Sequence, residues 1–259
     1  MSTARVDIAT HLPAPPEVGA DDGWALFLDV DGTLLDFADH PEAVEVGAVL
    51  LDDLERLVAR LDGALALLSG RPLAELDALF GWNRRAAAGL HGAELRLPDG
   101  RTHLAGDAGM FAAVRARAAI RVAETPGILL EDKQRALALH YRGAPSARIA
   151  AEGLARELER QAGAGYALQR GDHVVELKPA GIDKGRALAA LLRETPFRGR
   201  SPWVLGDDLT DEHAFASANA AGGVSVIVGA RRPTDARCAL PDPAAVRDWL
   251  HRLAGTDSP

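Results

Sequence analysis

The stretch Trp24-Ala-Leu-Phe-Leu-Asp29-Val-Asp31-Gly-Thr33-Leu-Leu35 constrains the fold more than any other part of the chain. Its five leading apolar residues, Trp24 to Leu28, have the length and continuity of a strand covered on both faces, as in a parallel sheet. The run stops at Asp29, and Gly32 then permits a sharp turn. Open parallel sheets carry their chemistry at such carboxyl ends. Asp29 and Asp31 lie two apart, so on an extended backbone both side chains point the same way, and the turn lets the second swing over the first. One carboxylate is then placed to attack while the other handles a proton. Taken alone, Asp-x-Asp-Gly reads equally well as a simple turn.

The same grammar recurs. Pro41 to Leu61 carries Val46, Val49, Leu50, Leu54, Leu57, Val58 and Leu61 at the spacing of an amphipathic helix. Ala64 to Leu68 is a second strand ending in Ser69-Gly70-Arg71-Pro72, with helical spacing resuming at Leu73, Leu76 and Leu79. A hydroxyl beside the amides of a helix start suits a phosphate oxygen, although Ser69 is equally suited to be the helix cap. Further on, Asp183-Lys184-Gly185 opens a helix bearing Leu188, Leu191 and Leu192. Trp203-Val-Leu then runs as a short strand into Gly206-Asp207-Asp208-Leu209-Thr210-Asp211-Glu212. Val224 to Val228 and Pro243 to Leu253 add one more strand and one more helix. These segments predict a parallel α/β core in two pieces, 23–93 and 180–259.

Between them, 94–179 follows another pattern. Glu94 to Leu97 and Thr102 to Leu104 flank Pro98-Asp99-Gly100, a hairpin signal. Met110 to Val122 and Pro145 to Gln161 read as helices, and Gly127 to Asp132, Arg135 to Arg142 and Tyr166 to Lys178 as strands. Strand and helix do not alternate here, so an inserted α+β domain is expected. Leu137, Leu139 and Tyr141 share one strand face and His140 and Arg142 the other, while Val175 and Leu177 oppose Glu176 and Lys178. One sheet face is therefore apolar and the other polar. That polar face either meets water or is lowered as a lid onto a polar substrate.

Charge and composition narrow the partners. The 259 residues carry a formal net charge of −8, which argues against nucleic acid or an anionic membrane as partner but suits a metal site. A single cysteine, Cys238, excludes an internal disulfide and a cysteine-based zinc cluster, and reads as a small buried apolar residue. Residues 1–22, with Pro13, Pro15 and Pro16, read as a loosely ordered tail without a secretion signal. No apolar run approaches the roughly 20 residues that span a bilayer, so a soluble, cytoplasmic protein, monomeric or weakly oligomeric, is expected.

Physical chemistry joins these pieces. Asp29, Asp31, Asp207, Asp208 and Asp211 are expected at one sheet edge, where two like charges ~4 Å apart repel by about 4 kcal/mol at an effective dielectric near 20. A cation must offset this, and an all-oxygen ligand set fits Mg²⁺ better than zinc. Lys184 and Ser69 supply donors to a phosphoryl group. Carboxylate nucleophile, second acid, hydroxyl, lysine and metal together describe phosphoryl transfer through an aspartyl-phosphate.

In order and strand context, Asp29-Val-Asp31-Gly-Thr33, Ser69-Gly-Arg71, Lys184 and Gly206-Asp207-Asp208-x-x-Asp211 resemble the four motifs of the haloacid dehalogenase superfamily. The resemblance implies a Rossmann-type parallel-sheet core, with the insert as an α/β cap. Within it, Gly89-Leu-His91-Gly92-Ala-Glu94, Leu137-Ala-Leu-His140-Tyr-Arg142, Val175-Glu176-Leu-Lys178-Pro and Gly206-Asp-Asp-x-Thr-Asp-Glu212 resemble the trehalose-6-phosphate phosphatases over nearly the full chain from Trp24. Val30 departs from the aromatic residue expected there.

That likeness implies Asp29 as nucleophile, Asp31 as general acid and base, and Ser69 and Lys184 on the phosphate. It places Mg²⁺ among Asp29, Asp31 and Asp207, with Asp208 and Asp211 beside or behind it. Its cap suggests Lys133 and Glu176 as sugar contacts, and with Arg71, His91 and the polar-face residues His140, Arg142 and Lys178 these are the candidate substrate-binding residues. The expected reaction is hydrolysis of trehalose 6-phosphate. The alternatives are the same chemistry on sucrose, mannosyl- or glucosyl-glycerate phosphates, or a non-catalytic sugar-phosphate-binding subunit, which has no need of Asp31.

Overall fold

The computed structural model describes residues 12–17, 23–36, 45–171 and 173–255. At its centre β1 (Trp24–Leu28) is buried along its whole length, as the unbroken apolar run requires. It pairs in parallel with β2 (Leu65–Leu68) on one side and β10 (Ser201–Gly206) on the other, so Leu26 lies between Leu65 and Trp203. Beyond β10 the sheet continues in parallel through β11 (Val224–Val228) to β12 (Cys238–Leu240). Beyond β2 it runs through β3 (Ala87–Gly89) to the antiparallel β4 (Glu94–Arg96) and β5 (Thr102–Leu104). Chain order reverses at β1, so the crevice outside the carboxyl ends of β1 and β10 is the sheet's switch point.

Helices cover both faces. In α1 (Ala48–Arg60), Leu50, Leu54 and Leu57 are buried at the predicted spacing, but the helix starts only after Gly47. The expected 41–44 portion lies outside the described residues. α2 (Leu73–Phe80) is N-capped by Pro72, and the hydroxyl of Ser69 instead accepts from the Arg71 amide at 3.1 Å, so Ser69 is not the cap. α5 (Lys184–Leu191) opens where predicted, with the Asp183 side chain accepting from the Arg186 amide. α6 (Glu212–Ala220) and α7 (Pro243–Gly255) complete the core, and Trp203 bridges Trp24 and Trp249 at ring distances of 5.5 and 6.0 Å.

The hairpin β4–β5 differs from expectation. Its strands pair with each other as predicted, but β4 also bonds to β3, so the large sheet extends to Leu104. Part of the tail also differs, since Pro13 accepts from the Ala239 amide at 2.9 Å and lies along the β12 edge, where a proline-rich segment shields an open strand. The rest of residues 1–22 that the tail reading covered, 1–11 and 18–22, lies outside the described residues.

A second sheet, ordered β6-β7-β9-β8, is antiparallel throughout. It consists of β6 (Leu129–Asp132), β7 (Leu137–His140), β8 (Tyr166–Gly171) and β9 (Val174–Pro179). One face packs Leu137, Leu139, Tyr141, Val175 and Leu177 against α3 (Ala108–Ala123) and α4 (Arg148–Ala162). On the other, register sets Glu131, Ala138, Glu176 and Gln169 in one row. Among the described residues no helix is long and apolar enough to cross a membrane.

Candidate active site

The carboxyl ends of β1 and β10 deliver Asp29 and Asp207 to the switch point, and the start of α5 delivers Lys184. Lys184 is 2% exposed, and its Nζ donates to Asp29 Oδ1 at 2.6 Å and to Asp211 Oδ1 at 2.7 Å. Burial alone would lower the lysine, but Asp211 and Asp29 reverse this and hold it well above its ordinary value. One ammonium therefore faces four carboxylates, Asp29, Asp207, Asp208 and Asp211. Burial, reinforced by Asp207 and Asp208 and opposed by Lys184, pushes Asp29 up to about 8. Burial together with Asp211 and Asp208 pushes Asp207 up to about 7. The cluster is short of positive charge.

A cation held by oxygens alone fits that deficit. Asp29, Asp207 and Asp211 each offer an oxygen within 4.8 Å of the others. The buried Thr33 hydroxyl faces Asp29 Oδ2 at 3.2 Å and Asp207 Oδ1 at 3.3 Å, and a single proton cannot serve both. Asp211 is already committed: Oδ1 takes the lysine and Oδ2 accepts from the Asp207 and Asp208 amides at 3.0 and 3.1 Å. The oxygens left to accept a divalent cation are those of Asp29 and Asp207, with Asp211 bracing the loop behind them.

The expected gathering of five acids is narrower in the structure. Asp31 is drawn to Arg71, which donates from Nε to Oδ2 at 2.8 Å and from Nη2 to Oδ1 at 2.7 Å. Asp208 turns Oδ1 to the amide and hydroxyl of Thr210 at 2.8 and 2.6 Å. Burial would raise Asp208, but Lys184 and the Thr210 hydroxyl outweigh it and hold it below the usual range.

Ser69, 1% exposed, sits at the end of β2 in a loop braced from beneath. The Leu90 amide donates to the Arg71 carbonyl at 3.0 Å and the His91 amide to the Ser69 carbonyl at 2.8 Å. To do so both adopt left-handed backbone, with φ of 49° and 56°, at a cost of about 1–2 kcal/mol each. Such strain persists only where the surroundings fix it.

The polar cap face meets this loop rather than water. Glu176 and Lys178 are 6% and 7% exposed. Glu176 Oε2 lies 3.1 Å from His91 Nε2, Lys133 Nζ donates to the Gly70 carbonyl at 3.2 Å, and Lys178 Nζ to that of Ile182 at 2.7 Å. Burial would raise Glu176, but Lys133 and His91 bring it down to about 2. Burial lowers His91 despite Glu176. A neutral ring beside a carboxylate presents its Nε2 proton, which leaves His91 Nδ1 and Glu176 Oε1 as buried acceptors without hydrogen-bond partners.

His140 and Arg142 are placed differently. His140 Nε2 pairs with Glu131 Oε2 at 2.8 Å, and Arg142 is exposed beyond the end of β7. Three side chains at the site escaped the sequence reading. Thr33 was visible within its motif, and Glu131 lies in register with Glu176 through Ala138. Arg231, which donates to the Asp207 carbonyl at 3.1 Å and pairs with Glu212, gave no periodic signal.

A parallel sheet ending in Asp29 and Asp207, a buried lysine between acids, a hydroxyl loop and an α+β cap above them define a hydrolase of the haloacid dehalogenase type. The trehalose-phosphatase family model matches residues 27–244. The "Probable trehalose-phosphate phosphatase" of Sinorhizobium fredii is 44% identical over 90% of this chain and 88% of its own length. The "Trehalose-6-phosphate phosphatase" of Escherichia coli is 43% identical over 93% and 90%. In fold, the chain resembles the Candida albicans trehalose-6-phosphate phosphatase C-terminal domain, with a TM-score of 0.79 and 24% identity over 96% of this chain and all of that one. The chain belongs to the trehalose-phosphatase family.

Proposed function

We propose that the chain hydrolyses trehalose 6-phosphate to trehalose and phosphate, with Mg²⁺ as cofactor and an aspartyl-phosphate on Asp29 as intermediate. The observation that carries the chemistry is the buried Asp29 at the switch point, 2.6 Å from a lysine and beneath a polar cap face. Membership of the family and relatives at 43–44% identity support the substrate. We also place the protein in the cytoplasm, as a monomer or weak oligomer, consistent with its lone buried Cys238.

An Asp29 oxygen attacks phosphorus, and the bond from phosphorus to the sugar oxygen breaks. Asp31 gives its proton to that leaving oxygen. Water then attacks the phosphoryl group, Asp31 takes its proton, and the bond to Asp29 breaks to release phosphate. Asp31 can serve in this way only after leaving Arg71, which holds both its oxygens here. Lys184 and Ser69 hold phosphoryl oxygens, while the closed cap excludes water in the first step. Bound Mg²⁺ supplies charge neutralisation for the transferring group, with Asp29 and Asp207 as its holders. Lys133, Glu176 and their neighbours on the cap select the sugar.

A substrate panel tests the reading: trehalose 6-phosphate, sucrose 6-phosphate, glucosylglycerate phosphate and p-nitrophenyl phosphate, scored by phosphate release. Trehalose 6-phosphate should give the highest kcat/KM. A preference for another sugar phosphate would overturn the substrate assignment and leave the chemistry standing.

A further inference from the structure

We propose that His91 is a positioning residue that couples the cap to the phosphate-holding loop, acting through Glu176 on one side and Ser69-Gly70-Arg71 on the other. This rests on the reading above and deepens it.

Three independent features converge on the ring. Its backbone is held left-handed by hydrogen bonds to the Ser69–Arg71 loop, so the ring's direction is fixed by the same carbonyls that shape the loop. Glycine at position 70 leaves the ring its place, since a Cβ there would lie 2.8 Å from His91 Cε1 and 2.9 Å from Nε2 and something would have to shift. Across the cleft, Nε2 meets Glu176, a carboxylate buried on the cap. Lys133, also from the cap, reaches the Gly70 carbonyl. The phosphate loop is therefore gripped by the cap through His91 and Lys133.

The consequence concerns selectivity. With Nε2 bonded to Glu176 Oε2 and the Lys133 ammonium 3.7 Å from Oε1, the carboxylate is fixed in rotation, and the buried Oε1, which has no hydrogen-bond partner, is the oxygen with room to accept from a sugar hydroxyl. A sugar that engages Glu176 is thereby tied, through His91, to the loop that holds Ser69. A small aryl phosphate lacks that handle and gains nothing from the coupling.

A double-mutant cycle tests this, with selectivity as the readout: kcat/KM for trehalose 6-phosphate divided by that for p-nitrophenyl phosphate. His91→Asn keeps a residue that tolerates left-handed backbone but falls short of Glu176. It should lower selectivity about ten- to a hundredfold, the loss expected for one hydrogen bond to a charged group. Glu176→Ala should do the same, and the double variant should fall no further than the worse single one. His91→Gln, which returns an N–H at similar reach, should recover part of the loss. If His91→Asn does not fold, Gly70→Ala, which displaces the ring, takes its place in the cycle.

Additive losses, equal losses on both substrates, or unchanged selectivity in His91→Asn would each overturn the coupling. If the wild type prefers a different sugar phosphate, the substrate reading fails, and the cycle is run on that sugar with the same criteria.

Discussion

Neutralising Asp29 should make the metal-free protein more stable while removing its activity. In the absence of a cation Asp29 is held at about 8, against an ordinary value of 3.8. The unfolded chain gives up this proton first, so folding stability falls as pH rises above 3.8, and the loss is complete above about 8. The interval from 3.8 to pH 7, at about 1.36 kcal/mol per pH unit, gives a penalty of about 4 kcal/mol for keeping Asp29 in place. Asp29→Asn removes that penalty. It also exchanges the oxygen that takes the 2.6 Å bond from Lys184 for an amide carbonyl of different placement, while Asp211 stays the charged partner at 2.7 Å. Setting the second effect against the first leaves a net gain of about 1–3 kcal/mol, or roughly 3–9 °C in Tm for a chain of this size.

The assay is thermal unfolding in EDTA at pH 7, repeated with Mg²⁺. Ligand linkage should raise the wild type by about 2.7 kcal/mol at a hundredfold excess over Kd, whereas the amide variant, with one cation ligand neutralised, should gain far less. The order of the two melting temperatures should narrow or reverse on adding metal. A variant less stable than wild type in EDTA, or one that gains as much from Mg²⁺, would refute the argument from charge deficit.

Three further outcomes follow from the same geometry. Exhaustive chelation should abolish phosphate release, Mg²⁺ should restore it, and Ca²⁺, with its longer and less strict oxygen coordination, should support little turnover. Gly206→Ala would put a Cβ into the Asp211 carboxyl; loss of the Asp211 brace should cost about 3–5 kcal/mol of stability by urea unfolding and at least a hundredfold in kcat. Glu176, held at about 2 against 4.5, contributes stability that is fully present above 4.5 and is lost as pH falls from there toward 2, so wild type should lose up to about 3 kcal/mol across that window and Glu176→Gln should lack this part of the acid slope.

Strand ends were legible because burial writes them plainly. Trp24 to Leu28 could be read as β1, and the polar residues that interrupt such runs, Asp29, Ser69 and Asp207, reached the site as a group. The weaker strands carried no such mark: Ala87-Ala88-Gly89 has neither branched nor aromatic residues, yet it pairs with both β2 and β4. The hairpin at Glu94–Leu104 shows a different gap. A turn signal fixes how two strands pair with one another, but which sheet edge receives them depends on β3, whose free side faces β4. Left-handed backbone at Leu90 was invisible too, because no propensity favours leucine there, and only the Ser69–Arg71 carbonyls supply the reason.

Residue types also do not reveal which of their atoms are already committed. By composition, Asp29, Asp31, Asp207, Asp208 and Asp211 are five equal candidates for a cation. Geometry separates them by asking what each oxygen already accepts: Asp31 takes two guanidinium bonds, Asp208 takes Thr210, and Asp211 takes a lysine and two amides. The Asp29 and Asp207 oxygens that share the Thr33 proton are under-supplied, and they face one another across that hydroxyl. On the proposed mechanism the acids would divide by role: Asp29 and Asp207 would hold the cation, Asp31 waits on Arg71, and Asp208 and Asp211 shape the loop that aims Asp207. Substituting Asp208 or Asp211 should thus weaken Mg²⁺ binding indirectly, through the position of Asp207, whereas Asp207→Asn removes a ligand outright. Calorimetric Mg²⁺ titration of the three variants should show the largest loss for Asp207, and an equal loss for Asp208 would return that residue to the cation.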